Sequence, residues 1–419
     1  MKKKLLPALI VTGLIILVVI IMGITALINK YTPTKKTEDL KEYFNISSDD
    51  EAALIVDNEL SDYKAKIIDK KIYVDYKFVH DSLNSRFYWD ANENVLLYTT
   101  ASDIISAAAD SNSYSVTKQT NDFGYPIVKA TSDSALIALD YVKQYSNITF
   151  KSYDDPARIV ITSKWDEIDS ATVSKSTQVR VKGGIKSPIL KEVKKDDKIT
   201  ILDSGDKWDK VATEDGVIGY IKSKALSESK KTKLTNPDYE EETFTHIKKD
   251  KDICLAWNQV TSQSANSKVP QVISSTKGIN VMSPTWFYLN DNNGNLADIA
   301  SKDYVSYCHS QGIEVWGLFS NFENTDVDAA YVLTHTSTRT TLINQIMSAA
   351  FNYELDGVNI DFENITEAAY GDSYIEFIRE LAIKCHNNGI SLSVDVTVPA
   401  SFNKFFNRSD MANFADYIV

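Results

Sequence analysis

Residues Asp356-Gly357-Val358-Asn359-Ile360-Asp361-Phe362-Glu363 alternate apolar side chains with acidic or amide ones, at the period of a β-strand. Successive strand side chains point to opposite faces, so Val358, Ile360 and Phe362 share one side while Asn359, Asp361 and Glu363 share the other. A row of carboxylates on the inward face of an otherwise buried strand is costly unless a site uses them. Residues two apart on one face sit roughly 6 to 7 Å apart at about 3.3 Å per residue, close enough for Asp361 and Glu363 to influence each other's protonation. In a low-dielectric cleft, like charges at that range push one pKa up, which suits an acid paired with a stabilising anion. The expected catalytic group is therefore Glu363 with Asp361, accompanied by Asn359 and Asp356 as the other polar positions of the run.

The same eight residues resemble the strand-four signature of family-18 glycoside hydrolases, Asp-Gly-x-Asp-x-Asp-x-Glu, and most of all its bacterial N-acetylglucosaminidase branch that trims spore cortex and cell-wall peptidoglycan. The resemblance implies that Glu363 is the general acid/base and that Asp361 orients the substrate's N-acetyl group. That acetamido group, not a protein carboxylate, is the family's nucleophile in a substrate-assisted retaining mechanism. Asn359 departs from the signature's middle Asp, removing a charge and a proton partner for Asp361 while keeping an amide able to hydrogen-bond it. Altered pH dependence, not inactivity, is the expectation.

The surroundings of the run fit a parallel α/β domain from residue 244 to 419. Apolar segments at 253–257, 279–282, 313–318 and 390–394 read as strands, and the last three begin directly after Gly278, Gly312 and Gly389. Glycine just past a helix with a strand starting at once is the αβ-loop signal. Tyr374, Phe377, Ile378, Leu381 and Cys385 recur at helical spacing and predict one apolar stripe against the sheet. The pattern is that of the front of a TIM-type (β/α)8 barrel, whose catalytic groups sit at the C-terminal strand ends. Candidate substrate contacts at those ends are Trp257 and Asn258 after strand one, Trp286 after strand two and Asn321 after strand three, with Trp286 as the preferred sugar-stacking platform. Asp395 shares the inward face of strand five with Ser393 and Thr397.

Upstream, Lys2, Lys3 and Lys4 precede an apolar run long enough to span a hydrocarbon core of about 30 Å, so residues 1–30 read as a signal anchor with a cytoplasmic N-terminus and everything after it outside. Residues 45–165 hold two copies of a strand–helix–strand–strand unit, in which Asn84, Phe87 and Leu96 recur as Asn147, Phe150 and Ile159. This α+β repeat resembles the N-terminal stalk domain of copper amine oxidases, but it carries no His or Cys cluster for copper, His80 standing alone. Residues 171–228, with short strands around Trp208 and Tyr220, resemble a small all-β bacterial SH3-like barrel, which implies contact with wall peptides. Residues 229–243 have linker composition. Cys254, Cys308 and Cys385 read as small buried residues, not a disulfide framework. No cofactor and no metal ligand set is expected.

A formal net charge of -12 without a basic patch disfavours nucleic acid as a partner. Residues 416–419 look like the beginning of strand six, so the barrel is expected to be truncated there and, without its remaining strands, inactive. The chain as a whole reads as a membrane-anchored, extracellular glycosidase acting on peptidoglycan or another N-acetylglucosamine polymer. The alternative is a non-catalytic wall- or chitin-binding protein using the barrel as a lectin-like cleft; intact Glu363 and Asp361 favour the enzyme.

Overall fold

The structure, a computed structural model, describes residues 2–403 and 405–419, those of 2–8 by backbone alone. It is a multidomain α/β protein with one N-terminal apolar helix and four sheets. The helix, Lys2–Tyr31, includes a 23-residue stretch, Leu9–Tyr31, long and apolar enough for a membrane span or a signal sequence. The side chains of Lys2, Lys3 and Lys4, on which the expected orientation depends, lie outside the described ones.

Two compact units follow from the contacts, one made of residues 1–73 and 145–239, the other of 74–144 and 240–419. In the first unit, Glu51–Val56 pairs parallel with Arg158–Thr162 and antiparallel with Glu59–Ile68. A seven-stranded antiparallel sheet occupies residues 167–233, and its last strand, Lys230–Lys233, pairs with Glu167–Thr172. Four of the residues expected to be linker are thus part of a sheet, because a lysine-rich edge strand has the composition of a solvated loop. A cavity of about 720 Å³ in this unit is lined by Tyr43, Leu60, Leu202 and Tyr220 among others.

The two sequence repeats do show the same element order, Lys71–Asp75 to Val95–Thr99 and Ala135–Ala138 to Arg158–Thr162. The hairpin Phe87–Asp90/Val95–Thr99 belongs to a five-stranded antiparallel sheet of the second unit, whereas Thr149–Tyr153 and Arg158–Thr162 join the first.

The second unit is built on six parallel strands, each beside its predecessor in the chain: β1 (Leu255–Asn258), β2 (Val281–Leu289), β3 (Glu314–Ser320), β4 (Gly357–Asp361), β5 (Ser391–Val394) and β6 (Tyr417–Ile418). Between them run α1 (Val269–Ser274), α2 (Lys302–Ser310), α3 (Ala329–Thr334), α4 (Thr336–Tyr353), α5 (Ala368–His386) and α6 (Arg408–Phe414). Gly312 and Gly389 adopt left-handed φ of 74° and 69°, which ends a helix and releases the chain into the next strand without the strain a Cβ would bring. Gly357 has a different task, since a Cβ there would stand 2.7 Å from the Trp316 indole on β3. Behind the sheet, Tyr374, Phe377, Ile378, Leu381 and Cys385 of α5 are all buried, as their spacing predicts. Cys308 is buried too, but Cys254 is exposed, because it sits just before β1 and not within it.

The opposite face of α5 is also buried, and by charge. Glu376 accepts from Thr99 Oγ1 at 2.8 Å and from Arg379, which also reaches Asp410, while Arg339 of α4 donates to Glu380 at 2.9 Å. The five-stranded sheet supplies the cover: Tyr88 OH lies 2.9 Å from Ser373 Oγ, and Asp90 Oδ2 accepts from the N–H and hydroxyl of Thr336 at the start of α4. Arg339 lies over the Tyr88 ring as well.

Candidate active site

Strand β4 carries the site. Its outward residues Val358 and Ile360 are fully buried under the helices, which fixes the inward face as Asn359 and Asp361, with Glu363 two residues on. Asp361 and Glu363 line one cavity of about 440 Å³ together with Trp257 at the end of β1, Thr285 of β2, Leu318 of β3 and Asp395 just past β5. The carboxylates therefore converge at the C-terminal ends of the parallel strands, the place where such sheets position chemistry.

Asn359 is the hub beneath that cavity and is completely buried. Its Oδ1 accepts from Ser283 Oγ at 3.0 Å and from the Trp257 indole N–H at 3.1 Å. Its Nδ2 donates to Ser393 Oγ at 2.8 Å and to Asp395 Oδ1 at 2.9 Å. The orientation of the amide follows from chemistry, because an indole N–H only donates and so must face the oxygen. All four hydrogen-bonding capacities are taken, and Asp361 is not among the partners. The amide meets Asp395 on the neighbouring strand, where the sequence pattern alone pointed to Asp361.

Burial acts alike on the two carboxylates near Asn359. Burial, reinforced by the charges of Glu363 and Glu323, lifts Asp361 to a pKa of about 6. Burial likewise lifts Asp395 to about 6, with the Asn359 hydrogen bond pulling down and the Asp361 charge pushing up. The like-charge argument predicts a lift within the pair, and Asp361 shows one. Glu323, after β3, is a contributor that the sequence pattern did not single out, and it accepts from Ser320 Oγ at 2.5 Å.

Asn321 holds the backbone of Glu363. Its Oδ1 accepts from the Glu363 N–H at 2.8 Å, and its Nδ2 donates to the Glu363 carbonyl at 3.0 Å. A second cavity of about 450 Å³ begins on the other side of Glu363 and includes Asn321 and Phe322.

Three of the expected site residues belong elsewhere. Trp286 is 0% exposed, donates to Asn266 Oδ1 at 2.8 Å and packs edge-on against Tyr304 of α2. Strand β2 runs on to Leu289, past the point where its end was expected, so Trp286 is a mid-strand residue on the helix-facing side. The exposed indole is Trp257, at 53%. Asn258, one residue on, faces the helices and donates to Tyr304 OH at 2.7 Å. Asp356 lies before β4 at the opposite end from Glu363, where it accepts from Val315 N and meets His309 Nε2, both at 2.8 Å. Its parity is that of Val358 and Ile360, the wrong face for chemistry. Among the described residues, no group of three or more His, Cys, Asp or Glu is arranged to hold a metal ion.

No family model matches the chain. No curated protein matches it either. Solved structures do. A chitinase from Chromobacterium violaceum aligns at 18% identity and TM-score 0.34 over 40% of this chain and 54% of that one. The spore cortex-lytic enzymes of Bacillus megaterium and Bacillus cereus align at 16% and 17% identity, with TM-scores of 0.33 and 0.34, over 39% of this chain and 40% and 39% of theirs. The chain thus spans about half the length of the chitinase and two fifths of the cortex-lytic enzymes.

Proposed function

We propose that this protein is a glycoside hydrolase that cleaves β-1,4 bonds next to N-acetylglucosamine by substrate-assisted, retaining catalysis of the family-18 kind. The observation that carries the proposal is the convergence of Asp361 and Glu363 on one cavity whose rim is the exposed indole of Trp257. Glu363, held by its backbone to Asn321, protonates the glycosidic oxygen. Asp361 orients the acetamido group so that its carbonyl oxygen attacks the anomeric carbon, and stabilises the oxazolinium that results. Water then opens that ring from the face the leaving group has vacated, opposite the acetamido oxygen, passing its proton to Glu363. Trp257 offers the apolar face of a pyranose a stacking surface.

Peptidoglycan is the polymer the rest of the chain favours. The apolar helix Leu9–Tyr31 suits a membrane tether with the remainder of the chain outside, and residues 171–228 suit an SH3-like module. The cavity beside Tyr220 is a place for a wall peptide.

Product stereochemistry tests the mechanism. Proton NMR of a soluble N-acetylglucosamine oligomer during its first turnovers with the full-length protein should show the β-anomer appearing first. Initial release of the α-anomer would contradict acetamido participation.

A further inference from the structure

We propose that Asp395, just past β5, is the second member of a carboxylate pair with Asp361, and is the proton-exchanging partner that Asn359 is not. The inference rests on the glycosidase reading above and deepens it. Asn359 itself is unable to exchange a proton, and its amide is saturated by Ser283, Trp257, Ser393 and Asp395. Whatever tunes Asp361 must come from another group that shares its space. Asp395 lines the same cavity, and its Oδ1 is held at 2.9 Å by the amide that lies between the two strands' inward faces.

The described groups around the pair carry no positive charge. Facing it are Glu363 at the end of β4, Glu323 after β3 and the phenol of Tyr374 on α5, and among the described residues no Lys, Arg or His lines the cavity. Tyr374 is 1% exposed with no hydrogen-bond partner for its hydroxyl, so it answers no carboxylate charge by donation. With no cation among the described lining residues to neutralise two anions, the pair holds one proton between them and titrates as a unit. The upward displacement of both carboxylates, with burial as the largest cause, agrees with this.

The cycle balances with that proton as a spectator. Glu363 gives its proton to the leaving oxygen as the acetamido oxygen bonds to the anomeric carbon and the C–O bond breaks. Asp361 faces the positive oxazolinium as an anion, while Asp395 keeps the shared proton. Water supplies the hydroxyl that opens the ring, and its proton returns to Glu363.

The network also dictates a swap that relocates the charge and keeps each contact by reversing two hydrogen bonds. An aspartate at 359 accepts from Ser283 and Trp257 as the amide oxygen does, the Ser393 hydroxyl turns to donate to it, and an asparagine at 395 donates to it across the same 2.9 Å contact. The experiment compares Asp395→Asn, Asn359→Asp, the double variant and Glu363→Gln in the full-length protein. The first readout is kcat/KM on N-acetylglucosamine oligomers from pH 4 to 8. The second is the calorimetric affinity for N-acetylglucosamine-thiazoline, a mimic of the oxazolinium, over the same range.

Asp395→Asn should lower kcat about tenfold, move the acid limb of the profile down by about one pH unit and remove one proton linkage from thiazoline binding. The double variant should restore rate and linkage to within about threefold of wild type, a recovery that lost packing would not show. Wild-type rate and profile in Asp395→Asn, with Glu363→Gln inactive, would overturn the inference and leave the glycosidase reading standing. So would a double variant no better than the single one. If Glu363→Gln turned over normally, that reading would fail instead, and unchanged thiazoline linkage in Asp395→Asn would still count against the pair.

Discussion

Asn321 grips the backbone of Glu363 from both sides, accepting from its N–H at 2.8 Å and donating to its carbonyl at 3.0 Å. The side chain of one strand's end thereby extends the sheet by one pairing beyond β4, which stops at Asp361. The acid is aimed by an amide and not by the strand itself. On the proposed mechanism Asn321→Ala should therefore lower kcat by about 10- to 100-fold while KM changes little, since a small displacement of the proposed acid is costly. Steady-state kinetics on an N-acetylglucosamine oligomer, with circular dichroism to verify folding, measure this.

The two tryptophans of the domain's first strands should respond in opposite ways. Trp257→Ala removes an exposed stacking face and should weaken oligosaccharide binding by about 1 to 2 kcal/mol. Trp286→Ala empties a core position and should lower folding stability by about 3 to 5 kcal/mol. Calorimetric binding and denaturant titration on both variants separate the roles.

Acid pH should stabilise the site. Asp361 and Asp395 have folded-state pKa values near 6, above the ordinary carboxylate value of about 3.9, so the folded protein binds more protons between those limits. Their contribution to stability is fully present below pH 4 and is lost as pH rises through about 6. Asp361→Asn should accordingly stabilise the protein at pH 7, by about 1 kcal/mol once screening by the open cavity is allowed for, and should show no such gain at pH 4. Denaturant unfolding at both pH values gives the comparison.

The buried charges on α5 lead to a different expectation. Arg339→Met leaves Glu380 without its partner in a fully buried position and should destabilise the second unit by about 3 to 5 kcal/mol. Replacing both, Arg339→Met with Glu380→Leu, should recover most of the loss. Thermal unfolding of the three proteins provides a double-mutant cycle.

Local pattern announced much of this architecture. Gly312 and Gly389 mark strand starts because their φ is required there, and the buried stripe of α5 shows in its three- and four-residue spacing. The alternation in β4 identifies Asp361 and Glu363, and the same parity, applied one residue earlier, excludes Asp356. Trp286 lies within β2 and not at its end, because β2 extends to Leu289 and a strand's length is set by its neighbours. The Asn359–Asp395 contact joins residues 36 apart, with nothing local to signal it. The burial of α5's charged face depends on Thr99, 277 residues before Glu376, so its helical pattern reads as a solvated side.

Release of reducing ends from purified peptidoglycan and from chitin oligomers, by the full-length protein and by Glu363→Gln, tests the central claim most directly. The account predicts steady release by the wild type and a fall of at least about a thousandfold in the variant, as expected when the acid that protonates the leaving group is removed. Equal rates in the two proteins would contradict it.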